Sequence, residues 1–465
     1  MRHHDLIIVG AGSGNTFVDE SFADWDIGIV ERARFGGTCL NAGCIPTKMF
    51  AHTADVAGQV RDAARFGLDA SFNGADWAAI RDRVFGRTDE VGRRGREHRL
   101  HDCPNTTVYR GQARFTGPRE LRVEPAGQDR AGQGAVTEIT ARHIVLAAGA
   151  RPVVPEPVAS AGVPFETSST IMHTPRRPGR LAILGGGYVA AEFAHIFAGL
   201  GSRITLIEMG GELLAGQDES VVAAYSKVAG QRYDVRLRRQ VTELAGDADS
   251  VRIVLDDGSA AEADMLLVAA GRVSNADELG LEQTGVKLDD AGRVTVDAYQ
   301  RTTADGIWAL GDISSPVQLK HVANRQAKVV AHNLLHPDRP VATDMGAVPA
   351  AIFTDPQIAA VGRTEQDCRD QGLDYAVGMR HYRDVAYGWA LQDTTGFCKV
   401  LAERGSGRLL GAHILGPEAS TLIQPLVVAI SCDLPVHTLA RKPYWIHPAL
   451  TEVVENALFD TGLTG

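Results

Sequence analysis

Two cysteines in a glycine-rich segment have the type and spacing for redox chemistry. Cys39 and Cys44 stand in GGTCLNAGCIPTK with four residues between them, close enough for a disulfide that closes a small loop. Pro46 fits the first turn of a helix, and a helix N-terminus favours the thiolate form of a cysteine. Lys48 adds a positive charge one turn beyond Cys44. The segment therefore predicts a reactive cysteine pair at the start of a helix.

Two other interpretations of the pair remain open at this point. Two cysteines in an intracellular protein are ordinarily small packed residues. A zinc site would need a second group of Cys or His ligands, and no second group of matching spacing stands in the sequence, so no metal is expected. The two nucleotide-binding motifs described next favour the redox interpretation.

The first of these motifs is GAGSGN, which follows the apolar run LIIV near the start of the chain. Gly10 and Gly12 allow a tight turn and a close approach of the backbone to a pyrophosphate, whose charge the N-terminus of a following helix would favour. Asn15 stands where the third glycine of the pattern usually stands. Glu31 ends the strand IGIVE 19 residues after Gly12, where an acid can accept hydrogen bonds from a ribose diol. A dinucleotide-binding unit is predicted.

A second unit of the same kind follows the apolar strand LAIL. Gly185, Gly187 and Ala190 occupy the three positions of its turn, and Glu208 stands 21 residues after Gly187. An acid there binds the free 2'-hydroxyl of NADH and repels the 2'-phosphate of NADPH. No Arg lies between Glu208 and Gln217 to hold that phosphate, so the sequence favours NADH. The alternative is an exposed Glu at a strand end without cofactor contact.

Composition excludes several classes of partner. The formal net charge of −10 argues against a polyanion, so no nucleic acid is expected. No apolar run reaches the roughly 18 residues that span a bilayer, so no membrane association is expected. Six cysteines in 465 residues are too few for a secreted disulfide scaffold. A cytoplasmic protein of about three domains is predicted.

The motifs together resemble one enzyme family. GGTCLNAGCIPTK, GAGSGN, AAGARP, GGGYVAAE, AAGRVSN, ALGD and HPALTE are similar, in this order, to the pyridine nucleotide-disulfide oxidoreductases, the family of glutathione reductase and lipoamide dehydrogenase. TKMF, RVSNAD, KHVAN, VPAAIFTDPQIAAVG, DVAYGWALQDTTG and YWIHPAL resemble a branch that reduces the disulfide of a low-molecular-weight thiol. Dihydrolipoamide dehydrogenase is the alternative activity. A flavoprotein sensor, in which the thiols only report redox state, is the alternative without catalysis.

The resemblance implies an α/β protein with two Rossmann-like dinucleotide-binding domains and a C-terminal α+β dimerisation domain. The implied division is residues 1–150 for the first part of the FAD-binding domain, 151–272 for the NAD(P)H-binding domain, 273–340 for the central part of the FAD-binding domain, and 341–465 for the dimerisation domain. FAD and either NADH or NADPH are the implied cofactors. A small-molecule disulfide is the implied substrate.

The resemblance also assigns roles to residues. Cys44 would be the thiol next to the flavin, and Cys39 the thiol that attacks the substrate. Lys48 and Glu192 would form an ion pair beside the flavin, and Tyr188 would cover the flavin until the nicotinamide displaces it. The alternatives are a core-lining aromatic residue for Tyr188 and a turn-capping acid for Asp312. The implied cofactor-binding residues are Gly10, Gly12, Gly14, Glu31, Gly37, Thr38, Lys48, Gly149, Gly185, Gly187, Glu208, Gly271, Gly311 and Asp312.

The motif HPALTE near the C-terminus supplies the acid/base in this family. His447 would be that group, oriented by Glu452, and it would reach the active site of the other subunit of a homodimer. A His with a pKa near neutrality can take a proton from Cys39 and return one to the leaving thiol, which is worth about 10²- to 10⁴-fold in rate. Taken alone, His447 would be an ordinary structural histidine.

Overall fold

A computed structural model describes residues 1–125 and 136–465 of the chain. Up to residue 146 its helices and strands are β1 (Arg2–Val9), β2 (Ile27–Glu31), α1 (Gly37–Asn41), α2 (Cys44–Asp62), α3 (Trp77–His101), β3 (Thr106–Arg110), β4 (Gln112–Phe115), β5 (Glu120–Glu124) and β6 (Thr137–Leu146). Next come β7 (Ala150–Pro152), α4 (Glu156–Ala159), β8 (Glu166–Thr167), β9 (Arg180–Leu184), α5 (Tyr188–Gly199), β10 (Arg203–Glu208), α6 (Glu219–Arg232), β11 (Asp234–Leu237), β12 (Val241–Gly246), β13 (Val251–Leu255), β14 (Ala260–Ala263), β15 (Met265–Val268) and β16 (Arg272–Ser274). The remaining elements are β17 (Ile307–Ala309), α7 (Lys320–Leu335), β18 (Pro349–Ile352), β19 (Ile358–Gly362), α8 (Glu365–Asp370), β20 (Tyr375–His381), α9 (Ala386–Leu391), β21 (Phe397–Glu403), β22 (Leu409–Leu415), α10 (Ala419–Leu422), α11 (Gln424–Ser431), α12 (Val436–Arg441) and α13 (Thr451–Asp460).

The first sheet has the strand order β3-β2-β1-β6-β5-β4, and β17 also pairs with the end of β6. Strands β1, β2, β3, β6 and β17 run parallel, whereas β4 and β5 extend the sheet with antiparallel pairing. Leu6, Ile7 and Ile8 of β1 are completely buried because both faces of this strand are covered. The carboxyl ends of β1 and β2 meet at one edge, which brings the turn at Gly10 beside Glu31.

The second sheet repeats this arrangement with the parallel order β11-β10-β9-β15-β8. Strand β9 takes the place that β1 has in the first sheet, and its turn leads directly into α5. Glu208 ends the neighbouring strand β10. A three-stranded antiparallel sheet, β12-β13-β14, completes this unit, and β7 pairs with β16 at its border.

The C-terminal unit is an antiparallel sheet of order β18-β19-β22-β21-β20 with helices packed against it. Its own core includes Leu426, Val453 and Leu458, all completely buried. The predicted fold class, with two nucleotide-type sheets and a C-terminal α+β unit, is confirmed. The strands of the three larger sheets lie within residues 2–146 with 307–309, 166–268, and 349–415.

One predicted element is wrong: no α-helix follows the first glycine turn. The chain forms only a three-residue 3₁₀ helix, Ser13–Asn15, and later a second short 3₁₀ turn. The two connections, residues 10–26 and 185–202, have nearly the same length, so length is not the cause. Asp19 accepts hydrogen bonds from the backbone N–H and the hydroxyl of Ser21, and such local bonds compete with helix formation.

Candidate active site

A cleft of about 870 Å³ runs along the carboxyl edge of the first sheet to the redox pair. The predicted residues that line it are Gly10, Gly12, Glu31, Gly37, Thr38, Cys39, Cys44, Lys48, Gly149, Tyr188, Glu192, Gly311 and Asp312. The predicted residues that do not line it are Gly14, Gly185, Gly187, Glu208, Gly271, His447 and Glu452. One cavity therefore joins the first glycine turn to the two cysteines.

The floor of the cleft is backbone. Gly10 has a φ of 109°, and a Cβ there would lie 2.3 Å from the carbonyl oxygen of Ala147. A Cβ on Gly37 would lie 2.8 Å from the Cα of Gly12, so both turns depend on the absence of side chains. The carboxylate of Glu31 accepts hydrogen bonds at 2.8 Å from two backbone N–H groups, which fixes it at the end of the cleft. These residues fit an extended dinucleotide such as FAD.

Gly14, which is buried, also belongs to this turn although it does not face the cleft. A Cβ on Gly14 would lie 2.5 Å from the Cβ of Ala147 and 3.0 Å from Ile8. The close packing usually served by the third glycine of the pattern is thus provided here by Gly14. Asn15 instead offers its side-chain and backbone oxygens to Arg99.

The two cysteines lie on consecutive helices. Cys39 is in α1, and Cys44 is the first residue of α2, after the N-cap Gly43. A Cβ on Gly43 would lie 2.9 Å from the carbonyl oxygen of Thr38, so a glycine is needed for the sharp bend between the helices.

The two thiols differ strongly in acidity. A hydrogen bond from Cys39 lowers the pKa of Cys44 to about 7, with help from the charges of Lys48 and Lys320. The same hydrogen bond, followed by burial, raises the pKa of Cys39. Cys44 is therefore the thiolate of the reduced pair near neutral pH, and Cys39 keeps its proton unless a base removes it.

An ion pair lies between the redox helix and the helix of the second unit. Lys48 Nζ donates to both carboxylate oxygens of Glu192 at 2.8 and 2.7 Å. Glu192 is buried, and it also accepts a hydrogen bond of 2.9 Å from the backbone N–H of Phe353. The ammonium group lies 4.8 Å from the ring centroid of Phe353. The structure therefore holds a fixed positive charge at the cleft wall beside the cysteines.

Two further cleft residues come from the edges of the two nucleotide units. Tyr188 is the first residue of α5 and is 46% exposed, so its ring is not held by core packing. Asp312 lies 3.8 Å from the guanidinium group of Arg272. Burial raises the pKa of Asp312, and the charges of Arg272 and Lys320 oppose this shift.

The second glycine turn repeats the geometry of the first. Gly185 has a φ of 120°, and a Cβ there would lie 2.3 Å from the carbonyl oxygen of Ala269. Gly187 is the N-cap of α5. Glu208 accepts a hydrogen bond of 2.6 Å from the N–H of Gly210, and its other carboxylate oxygen would lie 2.9 Å from a Cβ on Gly186. The acid is therefore held at the mouth of this turn.

His447 and Glu452 form a hydrogen-bonded pair away from the cleft. His447 Nδ1 lies 2.7 Å from Glu452 Oε1, and the His447 side chain is 74% exposed. Glu452 lies in the first turn of α13 and is largely buried, so its carboxylate fixes the orientation of the His447 ring. The imidazole points to solvent rather than to the cysteines of its own chain.

Comparison with known proteins identifies the family. The family model described as pyridine nucleotide-disulphide oxidoreductase matches residues 4–327, and the dimerisation-domain model of the same family matches residues 348–458. The chain belongs to the pyridine nucleotide-disulphide oxidoreductases. It is 49% identical over 98% of its length to a mycothione reductase of Mycobacterium tuberculosis, and 99% of that relative is covered. It is 33% identical over 96% of its length to a glutathione reductase of Burkholderia cepacia, of which 97% is covered.

A solved structure supports the same assignment. The Cu(II) complex of the HOCl-induced flavoprotein disulfide reductase RclA from Escherichia coli matches with a TM-score of 0.87 and 26% identity, and 99% of each chain is covered. The prediction of an NAD(P)H-dependent flavoprotein disulfide reductase is confirmed. The dimerisation-domain match supports a homodimer. Among the helices of residues 1–125 and 136–465, none is long and apolar enough to cross a membrane.

Three positively charged residues near these sites were not predicted. Lys320, at the start of α7, lines the cleft, and Arg99 of α3 binds the first glycine turn. Arg238 follows β11, and a Cβ on Gly211 would lie 3.1 Å from its guanidinium group, so it stands beside the loop after Glu208. KHVAN and VRLRRQ contain Lys320 and Arg238, but nothing in their spacing points to either turn.

Proposed function

We propose that this oxidoreductase reduces mycothione, the disulfide of the low-molecular-weight thiol mycothiol, at the expense of NAD(P)H. We infer this substrate from the 49% identity to the Mycobacterium tuberculosis mycothione reductase over 98% of the chain. The redox pair at the cleft wall and the two nucleotide turns supply the parts that such a reaction needs. We retain the predicted cytoplasmic location and the four-part division of the chain as part of this proposal.

Bound FAD would carry two electrons from the nicotinamide to the cysteine pair. Gly10, Gly12, Gly37 and Thr38 would hold it, with Glu31 at its ribose and Asp312 at its ribityl or phosphate portion. The ion pair of Lys48 with Glu192 would place positive charge beside its ring system. Tyr188 would cover it until the nicotinamide binds.

The two thiols have different roles because their pKa values differ. Cys44 is the thiolate of the reduced pair, whereas the raised pKa of Cys39 means that a base must take its proton before attack. Cys39 then attacks one sulfur of the substrate, a mixed disulfide forms, and the first thiol leaves with a proton. Cys44 attacks Cys39, the second thiol leaves, and the Cys39–Cys44 disulfide is restored. Two electrons and the proton of Cys39 are thus delivered per disulfide, and the second leaving thiol takes its proton from solvent because Cys44 is already a thiolate.

His447 of the partner chain is the base in this scheme. Its exposed ring lies outside the cleft of its own chain, and it belongs to the region matched by the dimerisation model. Glu452 would hold Nδ1, which leaves Nε2 free to exchange a proton with Cys39 and the leaving thiol. A lone chain would then lack a complete site.

We propose NADH as the preferred nucleotide, because the Glu208 carboxylate stands at the mouth of the second turn. The same residue supports the second candidate, a dihydrolipoamide dehydrogenase that runs the electron flow in reverse with NAD. Steady-state kcat/KM values for mycothione, lipoamide and glutathione disulfide, each with NADH and NADPH, test both proposals. Faster turnover of lipoamide than of mycothione would overturn the substrate, and a higher kcat/KM with NADPH would overturn the nucleotide preference. Cys39→Ser should abolish reduction of every disulfide.

A further inference from the structure

The two glycine turns differ in the charge that they offer to a phosphate. In the second unit, α5 begins directly after Gly187 and extends for 12 residues, so its N-terminus contributes about half a positive charge. In the first unit, the 3₁₀ helix Ser13–Asn15 is too short to contribute a comparable dipole. A pyrophosphate at the first turn therefore needs another source of positive charge.

Lys320 supplies a positive charge at this position. Its Nζ donates a hydrogen bond of 2.8 Å to the hydroxyl of Ser13, and that hydroxyl donates at 3.1 Å to Asn324 Oδ1, one turn further along α7. Lys320 and Ser13 both line the cleft. Within residues 1–125 and 136–465, no carboxylate forms a salt bridge with Lys320, although its charge also acts on Asp312 and Cys44, so Lys320 brings positive charge to the cleft.

Arg99 explains how the turn remains ordered without a helix. Its guanidinium group, which is 9% exposed, donates at 2.9 Å to the backbone oxygens of Asn15 and Val18 and to the side-chain oxygen of Asn15. In an α-helix those backbone oxygens would accept hydrogen bonds from N–H groups four residues later. Arg99 thus satisfies the carbonyls, while Lys320 faces the cleft. Two side chains therefore take over what a helix would provide: Arg99 donates to the backbone oxygens, and Lys320 supplies the positive charge.

We propose that Lys320 binds the pyrophosphate of FAD and replaces the helix dipole that the first nucleotide unit lacks. The proposal rests on the FAD-dependent function proposed above and goes beyond it, because it assigns the charge of the phosphate site to a residue of α7. Ser13 and Asn324 position the ammonium group.

The test measures the rate at which FAD leaves the holoenzyme, followed by the rise of flavin fluorescence after dilution at a temperature below unfolding. Lys320→Met should release FAD about 10- to 100-fold faster than the unchanged protein, since a hydrogen bond to a charged group is lost. Lys320→Arg, which keeps the charge, should release FAD much more slowly than Lys320→Met. Lys328→Met, an exposed change on the same helix, should leave the rate unchanged.

Release should also become less sensitive to salt in Lys320→Met, because a contact between a cation and a phosphate is screened. If Lys320→Met fails to fold, Ser13→Ala is used, which should accelerate release several-fold by freeing the ammonium group. Equal release rates in the unchanged protein and the variant that folds would overturn the proposal. So would a change in flavin reduction potential without a change in release. Unchanged protein that purifies without flavin would instead overturn the FAD-dependent function itself.

Discussion

Mixed dimers test whether His447 acts on the cysteines of the other chain. Cys39→Ser removes the attacking sulfur, and His447→Gln removes the acid/base while leaving a polar side chain of similar shape. Each homodimer should be nearly inactive, with His447→Gln reduced about 10²- to 10⁴-fold because the raised pKa of Cys39 then has no base to oppose it. The exposed position of His447, 74% free of its own chain, is the basis of the prediction.

When the two variants are unfolded together and refolded, half of the dimers contain one chain of each kind. If His447 acts in trans, one of the two sites in such a dimer has both Cys39 and His447, so the mixture should regain about one quarter of the unchanged activity. The assay is the oxidation of the reduced nicotinamide nucleotide in the presence of disulfide substrate, followed by the absorbance of the reduced nucleotide.

The matched control is a chain that carries both substitutions, mixed with the unchanged chain. A trans arrangement leaves that mixed dimer without a complete site, whereas a cis arrangement leaves it with one. No recovery in the first mixture, together with half-active mixed dimers in the control, would refute the reasoning.

Three other outcomes are expected. Cys44 should react with iodoacetamide as a thiolate above a pH of about 7 and lose reactivity below it. Lys48→Met should move the midpoint of this pH dependence to higher pH, because a cation that stabilises the thiolate is removed. An unchanged midpoint would contradict the role of Lys48 in lowering the pKa of Cys44. Arg238→Ala should lower kcat/KM for NADPH about 10-fold and leave kcat/KM for NADH unchanged, because the guanidinium group stands beside the loop where a 2'-phosphate would lie. An equal loss of kcat/KM with both nucleotides would point to a structural role of Arg238. Gly10→Ala should yield protein without bound flavin, as its Cβ would lie 2.3 Å from a carbonyl oxygen, whereas Gly58→Ala, with open space around its Cβ in α2, should keep flavin and raise stability by about 0.5–1 kcal/mol in a thermal melt.

Local patterns in the sequence were enough to predict both glycine turns and the cysteine pair. A buried strand followed by glycines can turn in only a few backbone conformations, and Gly10 and Gly185 adopt one of them, with positive φ angles. In these places, the decisive interactions lie within a few residues along the chain.

The prediction of a helix after the first turn was wrong for the opposite reason. Arg99, which binds the backbone of Asn15, is 84 residues away in sequence, and Lys320 is 307 residues from Ser13. Such contacts depend on how α3 and α7 pack against the first sheet, and no spacing rule within the motif contains them. Arg238 was missed likewise, because it reaches the loop after Glu208 from the end of β11 rather than from within that loop.

The contact between α2 and α5 limits how this protein can be re-engineered. A Cβ on Gly199 would lie 2.5 Å from the Cβ of Ala54, and the ion pair of Lys48 with Glu192 crosses the same boundary. A chimera that grafts the second nucleotide domain from another protein must therefore bring a glycine and an acid at these two positions. Without them, the graft would push apart the helices α2 and α5 and leave the half-buried ammonium group of Lys48 without a counter-ion.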